Sequence, residues 1–440
     1  MRALSVFVAV LLLVSSIAAG VGPAGATADA RSASASAVPE SDPARTGSID
    51  PATGPASTHG ENFTLRVLST PPGVEPRLSS HRRGVNLGTS LGLAVGDSDA
   101  ALRTETAVRR IESAETNAER QRRILSAINE VEQNEVSLDS RQTTAINAHA
   151  SGELTDRELL DELVRIAALA REYDSRLDTL SELAEETDGF NTPDRVSALQ
   201  VRLQVYDGPV RRIALETVRG DRTGTEIHVQ SSSNALVLAA IDGDQYVREA
   251  FRRDRWDRGG DDLGSEAAIN ATIESYPETT DLREPNALGA GAVQRITVDH
   301  DFGSLRTFVS GGTEQVFLEH QRMALSAFPD TDSVSTSEDG FNVTVNRTYP
   351  GGPVTVTVLD PATDDPLEGI TVTKSSGGSP SETIGNTDGD GVVRTLSPAA
   401  SYRITVVDEP RVAVIDDIDP IETPRVTDDV ADGSETDDGG

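Results

Sequence analysis

The chain contains no cysteine, which excludes disulfide staples, thiolate nucleophiles and cysteine-ligated zinc together. Lysine occurs once, at Lys374, so arginine carries nearly all of the positive charge. Aromatic residues make up only 4% of the 440 positions, and hydrophobic cores must be built from Val, Leu, Ile and Ala. Beyond the N-terminal residues no apolar run is long enough to cross a bilayer. HExxH, the Walker loop and GxGxxG are all missing, which removes the sequence signatures of zinc peptidases and nucleotide-binding folds. Six histidines occur, at positions 59, 81, 149, 228, 300 and 320, none at helical ligand spacing. His228, His300 and His320 lie near strands with Asp299, Asp301 and Glu319 close in sequence, and packing or surface roles are the default for them.

What the chain has in excess is acid. Asp and Glu number 72 against 39 Lys and Arg, a formal charge of −33. At low salt such a surface repels itself; in molar salt the Debye length falls to about 3 Å and the repulsion is screened. The composition resembles that of proteins from extremely halophilic archaea. Met1-Arg2, an apolar run over residues 3–19 and small residues ending in PAGATADA read as a secretory signal, cut after Ala26 or Ala30. No Arg-Arg pair precedes the run, which favours the general secretory route. The expected location is extracellular or the cell surface. Membrane attachment follows only if the signal is uncleaved, or through a partner.

Residues 27–60 are Ser, Ala, Pro, Thr and Gly with little to bury, a disordered linker. A short strand is expected at 64–68. From Ser98 apolar residues recur every four and three positions through Ile128, a helix, and residues 138–150 read as a further short helix. A second long helix starts at the capping box Thr155-Asp156-Arg157-Glu158 and repeats the spacing from Leu159 to Ala184. The pair predicts an antiparallel hairpin with arms of about 45 Å. Shorter helices are expected at 193–203 and 210–219. Strand-like segments TEIHVQ, ALVLAAI and QYVREAF follow, then a helix over 265–275, then VQRITVDH, LRTFVS and EQVFLEH. The fold class is multidomain α+β: a helical hairpin domain over 61–222, an antiparallel α+β domain over 223–325, a linker over 326–350 and a β-sandwich over 351–408. An acidic disordered tail over 409–440 completes it, with VAVI offering an edge strand to the sandwich.

The segments GELTDRELLDELVRIAALAREYDSRL, DGPVRRIALETVRG, ALVLAAIDGDQYVREAFRR and GGTEQVFLEHQRM together resemble an uncharacterised family of secreted or membrane-anchored haloarchaeal proteins, over residues 61–325. SEAAINATIESYPE and the strands after it resemble PepSY-like domains of protease propeptides, over 223–325. From Val354, the segments VTVTVLDPATDDPLEGITVTKSS, GNTDGDGVVRTL and SYRITVV resemble the carboxypeptidase regulatory-like, transthyretin-like β-sandwich. That likeness implies an adhesive or structural accessory domain.

Asn386, Asp388, Asp390 and Gly391 match the start of an EF-hand calcium loop, but position 12 is Ser397 and no helices flank it. The competing reading is a strand-joining turn in which Gly389 and Gly391 supply positive φ. No metal, cofactor or catalytic set is expected. FRRDRWDR, residues 251–258, interleaves Arg with Asp254 and Asp257, which fits intramolecular pairing or a protein-docking patch and argues against nucleic acid. Sequons stand at Asn62, Asn270, Asn342 and Asn346. The expected function is a non-enzymatic surface or secreted scaffold with a protein partner at the cell envelope. An inhibitor or chaperone-like partner of a secreted protease, and a hydrolase with an unrecognised carboxylate site, are the alternatives. The acidic, lysine-poor composition predicts that circular dichroism melts in molar potassium chloride give a higher Tm than melts at low salt; equal melting in both would refute salt dependence.

Overall fold

A computed structural model describes residues 65–427 apart from 282, 290, 330, 331, 378 and 379. The signal, the linker over 27–60 and the sequon at Asn62 lie outside the described residues. Eight strands form one antiparallel sheet: β1 (Arg77–Arg83), β2 (Thr225–Ser232), β3 (Ala235–Asp242), β4 (Gln245–Arg252), β5 (Asn286–Gly289), β6 (Val293–His300), β7 (Gly303–Ser310) and β8 (Val316–Ala324). Their order, β1-β2-β3-β4-β8-β7-β6-β5, is two four-stranded meanders that meet at β4 and β8. The domain expected over 223–325 is therefore not self-contained. Its sheet is completed by β1, which precedes the helices and pairs with β2 along its whole length, Arg77 opposite Ser231 through Arg83 opposite Thr225.

Five helices are inserted between those two paired strands: α1 (Leu87–Glu112), α2 (Asn117–Ala150), α3 (Asp156–Glu185), α4 (Arg195–Gln204) and α5 (Pro209–Arg219). α2 and α3 are the expected antiparallel pair, and Thr155 and Glu158 form the expected capping box. Two corrections apply. The helix expected from Ser98 through Ile128 is broken, because Thr116 caps a new start by accepting from the Glu119 amide. α2 then runs unbroken to Ala150, absorbing the short helix expected at 138–150. Nor does the pair stand free as a coiled coil. α3 buries Leu160, Val164 and Ala167 as well as Leu159, Leu163 and Ile166, since α1, α2, α4 and α5 surround it.

The sheet alternates accordingly. Leu236, Leu238 and Ala240 of β3 join the helical core, while Val237 packs on the opposite face with Ala268 and Tyr276. That face carries α6 (Ser265–Ser275) and α7 (Pro277–Thr280). It also carries the segment 65–70 and the residues near 424: the Val67 amide donates to Pro424 O at 2.8 Å and the Val426 amide to Val67 O at 3.1 Å.

The sandwich stacks two four-stranded sheets, β14-β11-β10-β9 and β13-β12-β15-β16. The strands are β9 (Ser333–Glu338), β10 (Phe341–Asn346), β11 (Pro353–Leu359), β12 (Thr371–Ser376), β13 (Glu382–Asn386), β14 (Val392–Leu396), β15 (Tyr402–Asp408) and β16 (Arg411–Ile418). The linker expected over 326–350 is instead largely β9 and β10, whose Ser/Thr-rich sequence reads as a linker because only every second residue faces the core. The tail expected from 409 begins with β16 and continues to Val426, which is buried. Six of the fourteen buried core residues lie outside 351–408: Phe341, Val343, Val345, Ala413, Ile415 and Ile418. A fragment of residues 332–420 is expected to unfold cooperatively in urea and a fragment of 351–408 to show no transition; a cooperative transition in the shorter fragment would refute this boundary.

Candidate functional site

The single lysine lies where the sandwich meets the large sheet. Lys374 on β12 is 8% exposed, and its ammonium donates to Glu226 Oε1 on β2 at 3.0 Å, to Thr395 Oγ1 at 2.9 Å and to Leu396 O at 3.0 Å. Thr395 donates to the other oxygen of Glu226 at 3.1 Å. Three N–H donors on a compact head thus meet three acceptors on two strands, β2 and β14, which a planar guanidinium fork does not match. Beside this clasp the Tyr246 hydroxyl donates to Gly351 O at 3.0 Å, and Leu396 packs with Tyr246 and Met323. Gly351 sits at φ +79° over the His228 ring, where an added Cβ would come within 2.5 Å of Cδ2. Burial, then the charges of Arg248 and Lys374, hold His228 neutral, its pKa lowered to about 4. Two cavities flank the clasp. One of about 450 Å³ is lined by Arg82, Arg222, Glu226, Asp242 and Arg394; the other, about 300 Å³, by Ser79, Glu226, His228, Lys374 and Glu382.

A second constellation was hidden by sequence distance. His149, at the end of α2, places Nδ1 2.7 Å from Ser231 Oγ and Nε2 2.8 Å from Asp156 Oδ1. The residue types are those of a nucleophilic triad, yet Ser231 and His149 are both fully enclosed, so no substrate carbonyl can reach the hydroxyl. The array ties the α2–α3 turn to β2, and the hydrogen bond from His149 holds the Asp156 carboxyl below its usual range. Nothing in local spacing announces it, because helix-on-sheet packing alone brings Ser231 to the turn.

The expected site residues stand apart from one another. Asn386 ends β13 and accepts from the Thr371 hydroxyl at 3.2 Å. Asp388 Oδ1 accepts from the Asp390 and Val392 amides, both at 3.0 Å, and Gly391 has φ +71°. This is the turn geometry; Gly389, however, is not at positive φ, so Gly391 alone meets that need. Among the described residues no group of three or more His, Asp or Glu is placed to hold a metal ion. His228, His300 and His320 lie on β2, β6 and β8, which are not neighbouring strands. Asn270 is exposed on α6, but the hydroxyl of its sequon partner Thr272 is buried, donating to Ala268 O. Asn342 and Asn346 are partly exposed on the outer face of β10, in a strand and not in a linker. The FRRDRWDR cluster is internally paired. Trp256 is 2% exposed and stacks on Phe317 at 4.8 Å. Arg258 reaches Glu135 and the Tyr206 hydroxyl, and Arg252 pairs with Asp254.

These features define a multidomain α+β protein in which a β-sandwich is clasped to a helix-covered antiparallel sheet. Residues 1–223, half of the chain, match the domain of unknown function DUF7096, and the chain belongs to that family. Residues 227–329 match the family of unknown function DUF7094, and residues 332–415 match an archaeal fibronectin-III type-like domain. The sandwich is thus fibronectin-III type-like over a longer span than 351–408. No curated protein and no solved structure matches the chain.

The junction predicts an acid response. A histidine held at about 4 against an ordinary 6.5 contributes stability that is fully present above pH 6.5 and is lost as pH falls towards 4, on the order of 3 kcal/mol in all. Asp156, with its lowered value, loses its contribution only below the usual carboxylate range. Urea unfolding in molar salt is expected to show stability falling between pH 6.5 and 4.5 in the wild type, and a flatter profile over that window in His228→Phe; equal slopes would refute the assignment.

Proposed function

We propose that this protein is a non-enzymatic binding scaffold of a halophilic archaeon, secreted or held at the cell surface, with a protein partner at the envelope. The observation that carries the reading is the Lys374 clasp. It holds the fibronectin-III type-like sandwich in one orientation on the α+β body, so that faces of both are presented as one surface. The buried charges elsewhere serve packing: Glu319, Glu249 and Glu135 are each held by an arginine. The apolar N-terminal run and acidic composition support export into a salty medium. Asn342 and Asn346 are partly exposed on β10, which leaves them open to glycan attachment.

Substituting Lys374→Met leaves the Glu226 carboxylate with Thr395 alone, which is expected to destabilise the chain by about 3 kcal/mol. Affinity capture from archaeal envelopes at native salt, with the full chain as bait, is expected to retain defined envelope proteins saturably, and Lys374→Met to weaken that retention. Turnover in a broad hydrolase screen, abolished by one Asp or Glu substitution that preserves the fold, would overturn the non-enzymatic reading.

A further inference from the structure

On the helix-covered face of the sheet, three to five strands across from the clasp, the chain gathers positive charge that its own acids do not neutralise. Strand register sets the group. Thr297 on β6 is opposite Arg306 on β7, and Arg306 is opposite His320 on β8. Ser304 is opposite Arg322, two residues along on each strand. Since side chains alternate across a sheet, Ser304 and Arg306 share one face with His320 and Arg322. Over this face α5 brings Arg212 and Pro209. Together with Asp207 these residues enclose a cavity of about 130 Å³.

The charge balance is the anomaly. Acids outnumber bases 72 to 39, and most partly buried arginines of this chain are matched to carboxylates. Asp207, the one acid of the cavity, is engaged by Arg171 at 2.7 Å and by Arg212 at 2.8 Å. Among the described residues no carboxylate forms an ion pair with Arg306 or Arg322. His320 at the floor is 6% exposed, and its Nε2 is buried without a hydrogen-bond partner. Its neighbour across the strands, Glu249, is taken by Arg211 Nε at 2.8 Å and by the Val210 amide at 3.3 Å. Burial and the guanidiniums of Arg306, Arg211 and Arg322 keep the His320 ring neutral, so it offers one N–H. Partial desolvation, Arg212 and Arg322 disfavour Arg306 as a cation, with Asp207 pulling the other way. An anion here would relieve that repulsion.

We infer that this cavity is an oxyanion-binding site, in which the guanidiniums of Arg306 and Arg322, with Arg212, His320, Ser304 and Thr297, hold one sulfate or phosphate group. Planar guanidinium forks match the oxygen spacing of such groups, and charge-assisted hydrogen bonds survive salt that screens longer-range attraction. The cavity holds a single oxyanion and has no room for a nucleotide. The group is either a free inorganic ion or the ester terminus of a larger molecule such as a sugar.

The test is calorimetric titration of the full chain in molar potassium chloride at constant ionic strength, with inorganic sulfate, inorganic phosphate, and a monosaccharide sulfate and phosphate as probes. One-to-one binding of at least one probe is expected, weakened tenfold or more in Arg306→Gln and in Arg322→Gln and abolished in the double variant. Arg403→Gln, on the sandwich, is expected to bind as wild type. Tighter binding of a sugar ester than of the free ion assigns the site to a group carried on a larger molecule, and equal or weaker binding assigns it to the free ion. Both side chains are at or near the surface, and circular dichroism verifies that the variants fold. Arg306→Lys, keeping charge without the fork, is expected to bind between wild type and Arg306→Gln. Absence of saturable binding of every probe, or unchanged affinity in the double variant, overturns the proposal. Neither result bears on the scaffold reading, which rests on the clasp at β2, three to five strands away across the sheet.

Discussion

The carboxylate of Glu319 is the constraint around which the body of this protein is arranged. It is fully buried on β8, at the line where the two meanders meet, and takes Arg248 from β4, the Leu68 amide at 2.5 Å and the Tyr276 hydroxyl at 2.7 Å. Burial pushes its pKa up, against the pull of Arg248. A charge in that position persists only with every partner in place, since losing one leaves an unpaired buried ion. The carboxylate and its three partners come from four parts of the chain. One carboxylate therefore ties the two halves of the sheet, the N-terminal described segment and the end of α6 to one another, and Arg248 extends the tie to Leu68 O.

The same logic recurs on the helical face. Glu249 sits at the start of α5, accepting from Arg211 and the Val210 amide, where a helix N-terminus favours negative charge. Glu135 of α2 accepts from Tyr206 and Arg258. Arginine suits these places because its fork reaches two or more acceptors at once. At the junction three acceptors surround one point, and there the chain uses its one lysine. A protein with few aromatics thus specifies its packing largely by ion pairs inside otherwise aliphatic cores.

Much of this was legible. Periodicity marked α3, α5, α6 and the strands from β2 to β8 except β5, because each buries one face against a neighbour and so repeats at 3.6 or 2 residues. The break at Thr116 was missed since the four-three spacing continues across it; the capping threonine and Glu119 were the available signal. β1 and β9 were missed because edge strands with one weakly buried face carry little pattern. For the candidate sites, the turn at Asp388 was readable from its incomplete ligand set. The clasp, the His149 array and the Arg306–Arg322 pair were not, because each joins residues from distant strands and helices.

By itself, then, the sequence determined the chemistry available: no thiol, one lysine, an excess of acid that demands screening, aliphatic cores and a β-rich C-terminal module. The tertiary structure decided which charges face each other. Pairing β1 with β2 across an insertion of more than a hundred residues, from Gly84 to Gly224, brings the helices onto the sheet. Docking the sandwich against β2 then buries Lys374. Coulombic partnership depends on distance in space, which no local pattern encodes, whereas helix and strand formation depend on neighbours a few residues apart.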